Sequence, residues 1–146
     1  MLTAQVLSER VAECFKRKQI RVVSEVFEGI PMLKLKPDAF GGGSTAIELE
    51  ISFADTEDGV LAEFFVELAN GIDVNRSILV MYGLNEMNCR TQIGSYAVLP
   101  DNGVLFYRYQ LFLRSELGSE NDVLNSLELV LNQIDSDFAP ILEMLK

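Results

Sequence analysis

The sequence predicts an α+β domain, an antiparallel β-sheet with helices packed on it in the order α-β-β-β-β-α-β-β-α. Three observations predict it. Several stretches alternate apolar and polar residues with a period of two, as half-buried strands do. Others repeat apolar residues at helical spacing. The strands come in hairpins with helices at intervals, and hairpins impose antiparallel pairing. With 49% hydrophobic residues in a chain of 146, there is enough to bury a core. No repeat, linker or low-complexity tract divides the chain, so residues 1–146 read as a single domain.

The first helix opens at Thr3 or Ser8 and buries Ala4, Leu7, Val11, Cys14 and Phe15 on one face. Lys16, Arg17 and Lys18 close it, where cations suit the negative end of the helix dipole. Ile20 to Phe27 is a strand, Glu28-Gly29 a turn, and Ile30 to Lys36 the returning strand. Pro31 cannot donate to a ladder, so this second strand is expected to lie at an edge or to start at the proline, and Lys34 and Lys36 would oppose unwanted pairing at an edge. Pro37 to Ser44 reads as a loop. Its Gly41-Gly42-Gly43 lacks the lysine and following helix that a phosphate-binding loop needs.

Thr45 to Phe53 and Val60 to Leu68 are alternating strands. Pairing them puts Glu48, Glu50, Glu63 and Glu67 on one outer face. Asp73 caps the second helix. Val74, Ile78, Met81 and Tyr82 form one stripe of that helix, while Leu79, Val80, Gly83 and Leu84 occupy the other side. Such a helix is expected between layers or in a subunit contact, with Gly83 permitting a close crossing. Asn85 and Asn88 are placed to bond exposed carbonyls or a strand edge.

A hairpin follows, with arms Gln92 to Leu99 and Gly103 to Arg114. Asp101-Asn102 suit a turn, and Gly103 the positive φ after it. Gly94 marks a bulge or close approach. Ser119, with Asp122 three residues on, resembles a capping box. The last helix carries Val123, Leu127, Val130, Ile134, Phe138, Ile141 and Leu145, and Pro140 predicts a kink or a new short helix near Asp137.

Composition narrows the function. Net charge is −10, so a phosphate backbone or anionic membrane surface is a poor partner. No histidine is present, which removes Ser-His-Asp and Cys-His hydrolases and His-ligated metal sites. Cys14 and Cys89 are too few for a disulfide scaffold and are expected as reduced, buried thiols. No apolar run reaches the roughly 18 residues of a membrane span, and no secretory signal is visible at Met1 to Val6, so the cytoplasm is the expected compartment.

Leu84-Asn85-Glu86-Met87-Asn88, the Gly94 strand, the Asp101-Asn102-Gly103 turn and the Tyr107-Arg108-Tyr109 strand together resemble the YbjN-like family. The resemblance covers roughly Val60 to Leu145, with the N-terminal part matching by element order. That family shares a fold with the effector chaperones of type III secretion, which are small acidic dimers that wrap an extended peptide. Its members are described as sensory or regulatory factors, so the resemblance implies no catalytic residues.

These readings lead to a non-enzymatic protein-binding module, chaperone-like or regulatory, acting as a homodimer on a protein or peptide client without a cofactor. Ile78, Met81, Tyr82, Val130, Ile134 and Phe138 are its expected interaction surface. Two alternatives stand beside it. Glu48, Glu50, Glu63 and Glu67 could hold a metal in a metal-dependent hydrolase. Phe64, Tyr107 and Tyr109 could line a small-ligand or lipid cavity between sheet and helix.

Overall fold

In the computed structural model, residues 1–36 and 48–146 are described, so the triple glycine Gly41–Gly43 and the start of the predicted third strand lie outside the described residues. The order is α1 (Ala4–Arg17), β1 (Val22–Phe27), β2 (Ile30–Leu35), β3 (Glu48–Asp55), β4 (Val60–Ala69), α2 (Val74–Arg90), β5 (Ser95–Leu99), β6 (Val104–Leu113) and α3 (Ser119–Leu145). The predicted α+β order holds. The strands form one antiparallel sheet in the order β1-β2-β3-β4-β6-β5.

Strand alternation decides the layers. Leu33, Leu35, Leu49, Ile51, Phe53, Ala62, Phe64, Val66, Leu105 and Tyr107 all point to one side and are buried there. The buried faces of all three helices join the same core: Leu7, Val11 and Phe15 from α1, Val80, Leu84 and Met87 from α2, and Val123, Val130 and Ile134 from α3. The opposite sheet face mixes polar residues with Leu61, Phe65, Phe106 and Phe112 and is mostly half-buried.

Local chemistry places the helix ends. Thr3 Oγ1 accepts from the Val6 N–H at 3.2 Å, and Asp73 Oδ1 accepts from the Asn75 N–H at 2.7 Å. Each such cap stabilises its helix by about 1 kcal/mol. The third start differs from expectation. Gly118, in the left-handed region, caps α3 without a side-chain bond, and the Ser119 hydroxyl donates backward to the Ser115 carbonyl. The helix then runs unbroken to Leu145 through Pro140, so no separate short helix forms near Asp137. Met144 of α3 lies where a side chain at position 83 would go, so Gly83 does permit a close crossing.

For the second strand the edge alternative fails, while Pro31 does stand at the strand's start. β2 lies between β1 and β3, and β1 is the edge. The proline is tolerated because the β2–β3 ladder stops at Met32↔Ser52, one residue short of Pro31. Glu28 and Gly29 have φ of 51° and 80°, the two-residue turn that matches strand twist, closed by the Phe27↔Ile30 pair. That closing pair is hydrogen-bonded, so Val26↔Pro31 is not, and the proline nitrogen faces the vacant end of the β2–β3 ladder.

Candidate interaction surfaces

The outer sheet face gathers the predicted carboxylates but does not leave them free. Lys34 Nζ lies 3.2 Å from Glu25, 3.6 Å from Glu50 and 3.9 Å from Glu48. The hydrogen bond and charge of Glu25, helped by Glu50 and Glu48, raise the Lys34 ammonium above the usual lysine range. Glu63 accepts from Arg108 Nη2 at 2.9 Å and Gln110 Nε2 at 2.8 Å. Glu67 stands across from Glu48 in the register. An ammonium therefore occupies the space between three carboxylates, and among the described residues no three acidic or thiol groups are arranged to hold a metal ion. The geometry gives no support to the metal-dependent alternative.

The three aromatic rings fill space instead of lining a cavity. Phe64 and Tyr107 are fully buried, and Phe64 meets Tyr109 with ring centroids 5.9 Å apart. Tyr107 packs edge-on against Tyr96 at 5.0 Å and donates its hydroxyl to the Ile93 carbonyl at 2.7 Å. Gly94 has φ of 69°, and a Cβ there would run into the Tyr107 ring, so its predicted close approach is to that ring. Tyr96 donates to Asp137 Oδ2 at 2.7 Å, and Gln133 Nε2 donates to the same oxygen at 2.8 Å. Burial first, then the neighbouring Asp137, pushes the Tyr96 phenol above the ordinary tyrosine range; burial does the same to Tyr107. This network ties α3 to β5, and no sequence motif announced it.

The two sheet edges are finished in opposite ways. At β5, the Asn88 side chain acts as a substitute strand. Its Oδ1 accepts from the Tyr96 N–H at 2.8 Å and its Nδ2 donates to the Tyr96 carbonyl at 2.9 Å. That is one of the roles expected for the asparagine pair, while Asn85 is simply exposed. At β1 nothing equivalent occurs among the described residues. All of β1 after Val22 is exposed, including Val23, Val26 and Phe27. A groove of about 760 Å³ runs beside β1, between that strand and α1. Gln5 and Glu9 lie toward its Val26 end, and Glu13, Lys16 and Arg21 toward its Val22 end, because α1 descends antiparallel to the strand.

The expected interaction residues divide. Ile78, Met81 and Tyr82 are exposed on α2, with Tyr82 at 74%, and Val74 and Leu79 extend the patch. Val130 and Ile134 are core, with almost no exposure, and Phe138 is half-buried, so these α3 residues are not a free surface. The α3 stripe is spent on the sheet and on α1. The thiols are also less buried than expected: Cys89 is exposed and Cys14 only half-buried. Among the described residues no helix is long and apolar enough to cross a membrane.

Comparison with known proteins adds no family: no family model matches the chain, and no curated protein does.

Proposed function

We propose that the chain is a non-enzymatic protein-binding module, chaperone-like or regulatory, working in the cytoplasm as a homodimer on a protein or peptide client. One observation carries the reading: α2 presents Val74, Ile78, Leu79, Met81 and Tyr82 to solvent on a single helix, while Val80, Leu84 and Met87 anchor its other side. A monomer rarely leaves so many large apolar groups contiguous, because covering them releases roughly 25 cal/mol per Å². The strongly acidic surface elsewhere keeps such a protein soluble. The resemblance to the YbjN-like family supports the same reading.

The test is a paired capture. Cross-linking of the full chain in an extract of its source cells is expected to place partner cross-links on α2. The Ile78→Glu/Tyr82→Glu variant is expected to fold as the original does, since both positions are exposed, yet lose those cross-links. Recovery of the same proteins by both, or no cross-link reaching α2, contradicts the proposal.

A further inference from the structure

We infer that two copies of this chain join at their β1 edges, in an antiparallel register centred on Ser24. The inference rests on the homodimer reading and says where the copies meet.

Backbone geometry fixes which groups are available. Within the β1–β2 hairpin, Phe27↔Ile30 is a hydrogen-bonded pair, and pairs alternate along an antiparallel ladder. Phe27, Glu25 and Val23 thus spend their N–H and C=O groups on β2. Val26, Ser24 and Val22 direct theirs outward, where the described residues supply no partner. An edge of this kind is a template for another strand, and proteins usually blunt it with lysine, proline or a covering side chain. Asn88 does so at β5. β1 has neither lysine nor proline, and its single charged residue, Glu25, is paired with Lys34 on the outer face.

The occupant follows from self-complementarity. Three residues offer outward groups, and Ser24 is the middle one. A two-fold axis there pairs Ser24 with Ser24 of the partner subunit, Val22 with Val26 of the partner subunit, and Val23 with Glu25 of the partner subunit. No like charges stand directly opposite, the two Glu25 side chains lie diagonally across the axis with Lys34 beside each, and the small hydroxyl sits at the crowded axis. The axis stands perpendicular to the sheet, so both α1 helices lie on the same side and both grooves run together. Reversal then turns the Glu9 end of one groove toward the end of the other where Lys16 and Arg21 of the partner subunit outweigh Glu13 of the partner subunit. A strand of unrelated sequence would have to supply that charge reversal independently. The joined sheet leaves both α2 stripes free, so the dimer offers two client surfaces and binds a repeated client with avidity.

The experiment measures mass by light scattering on the full chain and on three variants. The expected mass for the original is twice the 16.3 kDa of one chain. Ser24→Pro removes an outward N–H without touching the β2 ladder, and Val26→Lys adds a gatekeeper charge; both are expected to be folded monomers by circular dichroism. Ser24→Cys, made with Cys14→Ser and Cys89→Ser, is expected to cross-link to a dimer on oxidation, since facing Cα atoms in such a pair lie about 5.5 Å apart. If Ser24→Pro fails to fold, Val26→Lys and the cross-link decide. A dimer that survives Val26→Lys and separates instead on Tyr82→Glu overturns the β1 joint while the homodimer stands. A strict monomer for the original chain overturns both, and leaves client capture at α2 as a separate question.

Discussion

The sheet ends in two strands that face the same physical problem and solve it differently. β5 is short, lies beneath α2, and has the outward-facing N–H and C=O of Tyr96 taken by one asparagine amide. Among the described residues β1 has no cover; it is mostly apolar and flanked by a groove. The difference teaches that an open edge is not a necessary consequence of this fold. One asparagine four turns into a helix suffices to close it, and among the described residues no such device meets β1.

The largest effect is expected on the closed side. Asn88→Ala strands the N–H and C=O of Tyr96, a residue 2% exposed, and two orphaned buried groups cost about 3 kcal/mol in a urea titration. A loss below about 0.5 kcal/mol would mean that the amide is incidental. Gly94→Ala comes next. Its φ of 69° disfavours a side chain and the Tyr107 ring blocks it, so a loss of about 2 kcal/mol is expected in the same titration.

A pH series probes the phenols behind that edge. Tyr96 and Tyr107 hold their protons more tightly folded than unfolded. Their contribution is whole below the ordinary tyrosine value of about 10. It falls as pH rises beyond that, by about 1.4 kcal/mol per pH unit for each phenol. The urea midpoint should decline above pH ~10, and Tyr96→Phe should make that decline shallower. The smallest effect belongs to the open side. Glu28 holds a positive φ of 51° in the turn that ends β1, and Glu28→Asn relieves it, raising stability by about 0.5 kcal/mol.

Most of the fold was legible because its elements follow local rules. Ile51 and Phe53 alternate with Glu50 and Ser52, and Asp73 announces α2. What the sequence hid was nonlocal. Pro31 marks a strand that cannot be paired on both sides along its whole length, and that reads as an edge; the β2–β3 ladder merely ends there. The rotation of α2 was equally hidden, since Val74, Ile78 and Tyr82 on one side rival Val80, Leu84 and Met87 on the other. Only the packing of Met144 against Gly83 and of Tyr96 beside Asn88 selects between them. Two of the six expected interaction residues are core for a related reason. Val130 and Ile134 are apolar at helical spacing whether a helix packs on its own sheet or on another molecule. The open edge does carry a sequence signal: Val22 to Phe27 contains no lysine and no proline.

Amide hydrogen exchange at four residues tests the contrast between the edges most directly. The Tyr96 amide, bonded to Asn88, should exchange slowly at every protein concentration. The amides of Val22, Ser24 and Val26 should exchange quickly in dilute solution and become protected together as concentration rises. Rapid exchange at all three in concentrated protein, or protection in the most dilute sample, would contradict an open edge closed by a second copy.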